Sequence, residues 1–296
     1  MEYKKGERVR HPKLVDWGLG QVLADSCNDS VKIFFVGVGE KVLSLKYVQP
    51  EHVNIENAHH PVLDHLLTHK CESKLKYQGL KQLISCFLAR FPDGFESKNL
   101  NKELHNDHQK AYQQAQSLLN EEVLIDCIIT ADYQQVVDNV LTVVNASKLI
   151  AAAEKKELKT ALLNQGAQKK FSLSLYKLLY CKEPLQGRFE SFNKVLQQLN
   201  IAKWSLISYF LFVTQPKRYL FIKPNVTQHA SALCGFEINF KTEVNWTTYE
   251  STLRFSEYLF EELTTLKPQN MNDVQSFICS IMSVKGDKKV KRILAS

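Results

Sequence analysis

The first fifty residues admit no long helix. Gly6, Pro12, Gly18, Gly20, the Asn28-Asp29 pair, Gly37 and Gly39 interrupt the chain too often for helical turns to propagate. What lies between these breaks reads as short strands: Glu7–Arg10, Gly18–Ala24, Val31–Val36 and Glu40–Leu45. Cys27-Asn28-Asp29-Ser30 has hairpin-turn chemistry, and Gly37-Val38-Gly39 offers residues that tolerate positive φ. Four or five short strands bury little as an open sheet, so a small closed barrel is the expectation.

From about residue 58 the period changes. Leu80, Leu83, Ile84, Phe87, Leu88 and Phe91 recur at helical spacing, and Pro92-Asp93-Gly94 ends that run. The pattern predicts a polar helix over 101–119 and another over 132–144 with Asp132 as N-cap. Further helices are expected over 147–163, stopped near Gly166, over 171–180 and over 189–199. Residues 204–214 are mostly apolar, with Ser205, Ser208 and Tyr209 among them, and fit a buried helix or a buried strand. Tyr219–Ile222 reads as extended, 226–233 as a short helix closed by Gly235, and Phe236–Phe240 as a strand. Residues 246–266 and 272–283 read as helices. No fixed repeat period emerges, which argues against a solenoid.

Three segments in the barrel region follow a recognisable order. They are Gly6-Glu7-Arg8-Val9-Arg10-His11-Pro12, then Trp17-Gly18-Leu19-Gly20-Gln21-Val22, then Ile33-Phe34-Phe35-Val36-Gly37-Val38-Gly39-Glu40-Lys41-Val42-Leu43. Together they resemble the Tudor-like domain at the C-terminus of UvrD/PcrA-type helicases and the RNA-polymerase-binding domain of CarD-type transcription regulators. The resemblance covers about residues 4–50. It implies an SH3-like barrel used for docking, by adding its edge to a strand of the polymerase β subunit or by meeting nucleic acid. No Gly-x-x-x-x-Gly-Lys-Ser/Thr occurs in the chain, so no ATPase motor accompanies it. The expected partner-binding residues are Arg8, Arg10, Trp17, Phe34, Phe35, Lys41 and Tyr47. Phe34 and Phe35 are adjacent on a strand, so one should face inward and the other outward. A methyl-lysine cage would need several of these rings to converge, and a barrel this small must use some for packing.

Charge narrows the partner classes less sharply. The net charge is +7, with the largest surplus toward the C-terminus, where Lys285, Lys288, Lys289, Lys291 and Arg292 face only Asp287. No region is basic enough to require non-specific DNA binding. Residues 203–223 interleave rings with cations, so Lys217, Arg218, Tyr219 and Lys223, with tail residues Lys288, Lys289 and Arg292, form the alternative: a single-stranded DNA or RNA surface. Against it, Leu206, Ile207, Leu211 and Val213 in the same run favour a core role.

Compartment and chemistry are read from what the pattern offers. Met1–Arg10 lacks the apolar stretch of a secretory signal, and the longest apolar run is about half a membrane span. The 7 Cys are scattered, never in Cys-x-x-Cys spacing, and suit reduced core thiols in a cytoplasm, with a bacterial one implied by the resemblance. His59, His60, His65, His69 and Cys71 crowd together, and His65 and His69 share a helix face. They lack the Glu of a His-Glu-x-x-His motif and a nearby second Cys, so solvated histidines are the reading preferred over a metal site. Glu121-Glu122 and Glu261-Glu262 splay apart as neighbours on a helix, and no Gly-x-Ser-x-Gly elbow occurs.

The expectation is therefore an α+β protein. Residues 1–52 form the barrel, 58–284 a mainly α-helical domain with a minor β element, and 285–296 a basic tail. Its function is expected to be non-catalytic: an adaptor or regulator docking onto RNA polymerase or another nucleic-acid-processing complex. No cofactor, metal, membrane or small-molecule substrate is called for. An enzyme whose site only tertiary structure assembles is the remaining alternative.

Overall fold

A computed structural model of the 296-residue chain describes residues 2–67, 77–100 and 106–283. An N-terminal antiparallel sheet is followed by a mainly helical region, an α+β architecture. The chain divides into two compact units. One contains the described residues of Met1–Arg90 and of Gln228–Ile238, together with those from Ser280 onward. The other contains those of Phe91–Thr227 and Asn239–Cys279.

In the first unit, strands β1 (Arg8–Arg10), β2 (Leu19–Cys27), β3 (Ser30–Phe35), β4 (Gly39–Ser44) and β5 (Glu51–His52) form one sheet in the order β4-β3-β2-β1-β5. The β2–β3 turn holds Asn28 and Asp29 at φ 49° and 55°, the paired positive values that let a two-residue turn follow strand twist. Register sorts the side chains by parity. Val9, Gly20, Phe35 and Gly39 stand opposite one another on one face, with Val22, Ile33 and Lys41 in the next row. This face carries the core of Tyr3, Val9, Val22, Val31, Ile33, Phe35 and Leu43, and Trp17 packs half-buried against it. Gly20 is required here, since a Cβ on it would lie 2.7 Å from the Phe35 ring. Tyr3 donates its hydroxyl to the Pro50 carbonyl at 2.7 Å, which joins the start of the module to its end.

On the opposite face Phe34 is covered, while Lys32, Glu40 and Val42 stay exposed. Tyr77 sets its ring edge-on to Phe34 at 4.6 Å and donates its hydroxyl to the Val36 carbonyl. Gly39 and Gly235 leave room for that ring; a Cβ on either would come within 2.7 and 2.9 Å of it, respectively. Nearby, Leu66 and Phe236 form a single antiparallel bridge, and Glu237 donates its N–H to the His65 carbonyl at 2.7 Å. The strand expected over Phe236–Phe240 is not formed. Asn239 adopts φ 48°, which breaks the extended chain. Thr248 donates its hydroxyl to the Asn239 carbonyl at 2.6 Å, so a side chain meets the backbone need that a neighbouring strand would have met.

The second unit is helical. Its centre is the Trp204–Thr214 helix, which settles the helix-or-strand ambiguity: all eleven of its residues are buried. It packs against the Asn106–Leu118, Gln165–Tyr180 and Leu185–Gln198 helices. Phe171, Phe192 and Phe210 from three of these meet with ring centroids 5.6 to 6.1 Å apart. Tyr219–Ile222 carries no helix or strand and is buried, and Ile222 donates its N–H to Ser208 Oγ at 3.0 Å.

Helix boundaries depart from the periodicity at named caps. Asp132 caps the Tyr133–Asn145 helix, its carboxylate accepting the Gln135 N–H at 3.0 Å. The helix expected from 147 begins only at Ala152, because the Ser147 hydroxyl accepts the Leu149 N–H and holds a turn. Gly166 does not stop a helix but lies in the first turn of Gln165–Tyr180, which Asn164 caps. A helix that the periodicity does not mark spans Glu121–Ile129, capped by Asn120. Only Leu124 in it is buried, so its apolar residues never form one inward stripe.

Candidate functional site

The sheet's surface is built by its edge and its loops. β4 pairs with β3 alone among the described residues, so its outer edge carries unsatisfied strand groups. Leu43 turns inward and Val42, one residue before it, outward, leaving Val42 68% exposed. Beyond β4 the chain turns, and Tyr47 stands 88% exposed.

The loop between β1 and β2 is held from within. His11 is buried, and its Nδ1 accepts the N–H groups of Lys13 at 3.1 Å and Leu14 at 2.9 Å. This fold-back projects Leu14 and Val15 outward, 43% and 80% exposed. The loop then closes in a short turn, Val15–Trp17, that brings the Trp17 ring 5.1 Å from Phe35 and 4.9 Å from His11. Lys41 Nζ lies 5.7 Å from the Trp17 ring centroid, within cation–π range.

The expected partner-binding residues therefore separate into groups. Arg10, Lys41 and Tyr47 are exposed, and Trp17 offers part of its surface. Phe34 and Phe35 do not. They point to opposite faces as parity demands, but both rings are covered, Phe35 by the sheet core and Phe34 by Tyr77. Neither ring is an exposed anchor. Arg8 is half-buried, and its guanidinium pairs with Asp64 at 2.7 Å and donates to Gln21 within the unit. Sequence reasoning passed over Leu14, Val15 and Val42. The alternation around Leu43 carried the signal for Val42, whereas Leu14 and Val15 depend on the His11 bonds, which leave no sequence pattern.

The alternative surface over 203–223 loses its stacking platform. Trp204, Tyr209, Phe210, Tyr219 and Phe221 are all buried in the helical unit. Burial drives the Tyr209 phenol well above its ordinary value, and its hydroxyl donates to the Val143 carbonyl at 2.9 Å. Lys217, Arg218 and Lys223 are exposed, and the Arg218 guanidinium lies 5.6 Å from the Tyr219 ring centroid. Exposed cations without exposed rings can meet phosphates but cannot stack bases. Lys288, Lys289 and Arg292 lie outside the described residues.

The histidine cluster is dispersed among structural tasks. His59 Nδ1 lies 3.6 Å from Asp64, and His60 Nδ1 accepts the Val62 N–H at 3.2 Å to cap a helical turn. Burial lowers the His60 imidazole below its ordinary value, with Asp64 opposing and Arg8 adding to that shift. His65 packs its ring 5.2 Å from Phe236. His69 and Cys71 lie outside the described residues. Among the described residues no group of three His, Cys, Asp or Glu side chains is placed to hold a metal ion. Cys234 is buried, and burial pushes its thiol up to about 12, a poor nucleophile at neutral pH. No described helix is long and apolar enough to cross a membrane.

No curated protein matches the chain, and no solved structure matches it. A family model described as "Protein of unknown function (DUF3553)" matches residues 3–53. Tyr3 is the residue that ties back to Pro50, and Val53 donates its N–H to the Arg8 carbonyl at 3.0 Å, so the span similar to that family is the span of the sheet.

Proposed function

We propose that the N-terminal sheet is a Tudor-like, SH3-like docking module through which the protein acts as a non-catalytic adaptor or regulator. Its partner is RNA polymerase or another nucleic-acid-processing complex in a bacterial cytoplasm. The strand order β4-β3-β2-β1-β5 suits an SH3-like barrel, and the residue pattern of the three N-terminal segments supports the same assignment.

One observation carries the reading. Of the six large apolar side chains exposed among the described residues, four, Leu14, Val15, Val42 and Tyr47, belong to this small module, and the other two, Ile129 and Leu163, lie on the helical unit. Scattered exposed apolar groups are ordinary, but Val42 on an open strand edge and Tyr47 just beyond it suit protein contact. A partner strand laid along β4 would take its backbone bonds from the edge and its side-chain anchors from Val42 and Tyr47. Arg10, Lys41 and the exposed part of Trp17 supply further polar and cation–π contacts.

The test uses the full chain and purified bacterial core RNA polymerase in a biosensor assay. Binding that resists nuclease and falls at least roughly ten-fold in the Val42→Lys/Tyr47→Ala variant supports the reading, a loss on the scale of one or two interface anchors. Unchanged binding in that variant, or none by the parent chain, refutes it for this partner.

A further inference from the structure

A second surface lies on the helical unit. The Glu121–Ile129 helix is apolar in composition yet buries only Leu124, and Ile129 is 75% exposed. Ile125, half-buried, precedes Ile129 by one helical turn, so the two form a short outward ridge. Glu122 and Asp126 form the adjacent ridge at the same spacing, both exposed.

The charge along this stretch of chain is one-sided, although the neighbouring Gln165–Tyr180 helix carries Lys169, Lys170 and Lys177. Between Lys110 and Lys148 the chain contains no Lys, Arg or His, yet it holds Glu121, Glu122, Asp126, Asp132 and Asp138, in a protein of net charge +7. All five carboxylates are exposed, and among the described residues no cation pairs with them. Their contacts are with neutral groups. Glu121 accepts from the Tyr176 hydroxyl at 3.4 Å, Asp132 caps a helix, and Asp138 accepts from Gln134 at 2.9 Å. An apolar ridge beside uncompensated carboxylates is complementary to an apolar ridge beside cations. It is repulsive to the phosphates of nucleic acid. A helix offers no free strand edge, so the matching element is itself a helix packing ridge against groove.

We propose that the exposed face of Glu121–Ile129 binds a basic amphipathic helix of a partner protein. The apolar side of that helix packs on Ile125 and Ile129, and its Lys or Arg residues pair with Glu122 and Asp126. The surface is independent of the β4 edge, and the two proposals stand or fall separately.

A fluorescently labelled 18-residue Leu/Lys amphipathic peptide, titrated into the full chain and read by anisotropy, tests this. The account expects saturable one-to-one binding. That binding should weaken roughly ten-fold in Ile129→Ser and again in Glu122→Lys/Asp126→Lys, while Val42→Lys leaves it unchanged. A Leu/Glu peptide of the same length should not bind. Equal binding by a Lys/Ser peptide would overturn the proposal as mere charge attraction. Indifference to Ile129→Ser, or no binding at all, would overturn it as well. So would sedimentation showing a dimer that Ile129→Ser dissociates, because the occupant would then be a second copy.

Discussion

β4 carries two large apolar residues, Val42 and Leu43, and the Trp204–Thr214 helix carries many, and the two elements place them in different ways. Only Gly39 and Leu43 of the six β4 residues are buried, whereas the helix buries every residue it has. The difference lies in neighbours. An edge strand has one hydrogen-bonded partner and one packed face, so alternate side chains and half its backbone remain available. A helix ringed by three others has no free side. An apolar residue therefore signifies core in one place and contact in the other.

The contrast predicts a ranking of substitutions. Phe210→Ala, in the centre of the buried helix, should destabilise the protein by about 3–5 kcal/mol, measured by denaturant unfolding, because the ring leaves a cavity among Phe171 and Phe192. Gly20→Ala should cost about 1–3 kcal/mol, since the added methyl presses on the Phe35 ring inside the small core. Tyr77→Phe should cost about 1 kcal/mol, by removing the donor to the Val36 carbonyl while keeping the ring against Phe34. Val42→Lys should stay within about 0.5 kcal/mol of the parent, as exposed positions do. If Val42→Lys unfolded the sheet, the distinction between edge and core would fail.

A pH titration sharpens the same contrast. Burial and the nearby Glu121 push the Tyr180 phenol up to about 12 from its ordinary 10.0. The folded state favours the neutral phenol, so this contribution is full below pH 10.0 and is lost as pH rises toward about 12. His60 has the opposite direction. Its folded value is lowered, so its contribution is present above the ordinary histidine value of 6.5 and is lost as pH falls through the lowered one. Histidine NMR titration should show His60 protonating below the ordinary histidine value of 6.5.

Much of this was legible in the residues themselves. The N-terminal strands followed from glycine punctuation and parity, and the Asn28-Asp29 turn from its two residue types. The Tyr133–Asn145 helix followed from Asp132 and its apolar stripe. What was not legible depends on long-range partners. Phe34 is buried because Tyr77, forty-three positions along, closes over it. The 236–240 alternation fails as a strand because Thr248 takes its carbonyl. Glu121–Ile129 escaped notice because a helix with one buried residue has no periodic stripe to read.

Hydrogen exchange of the full chain, with and without bacterial core RNA polymerase, tests the docking claim most directly. The account predicts that amides of Gly39–Ser44 gain protection in the complex while those of Trp204–Thr214, already buried, do not change. Protection appearing on the helical unit with β4 unaltered would contradict it.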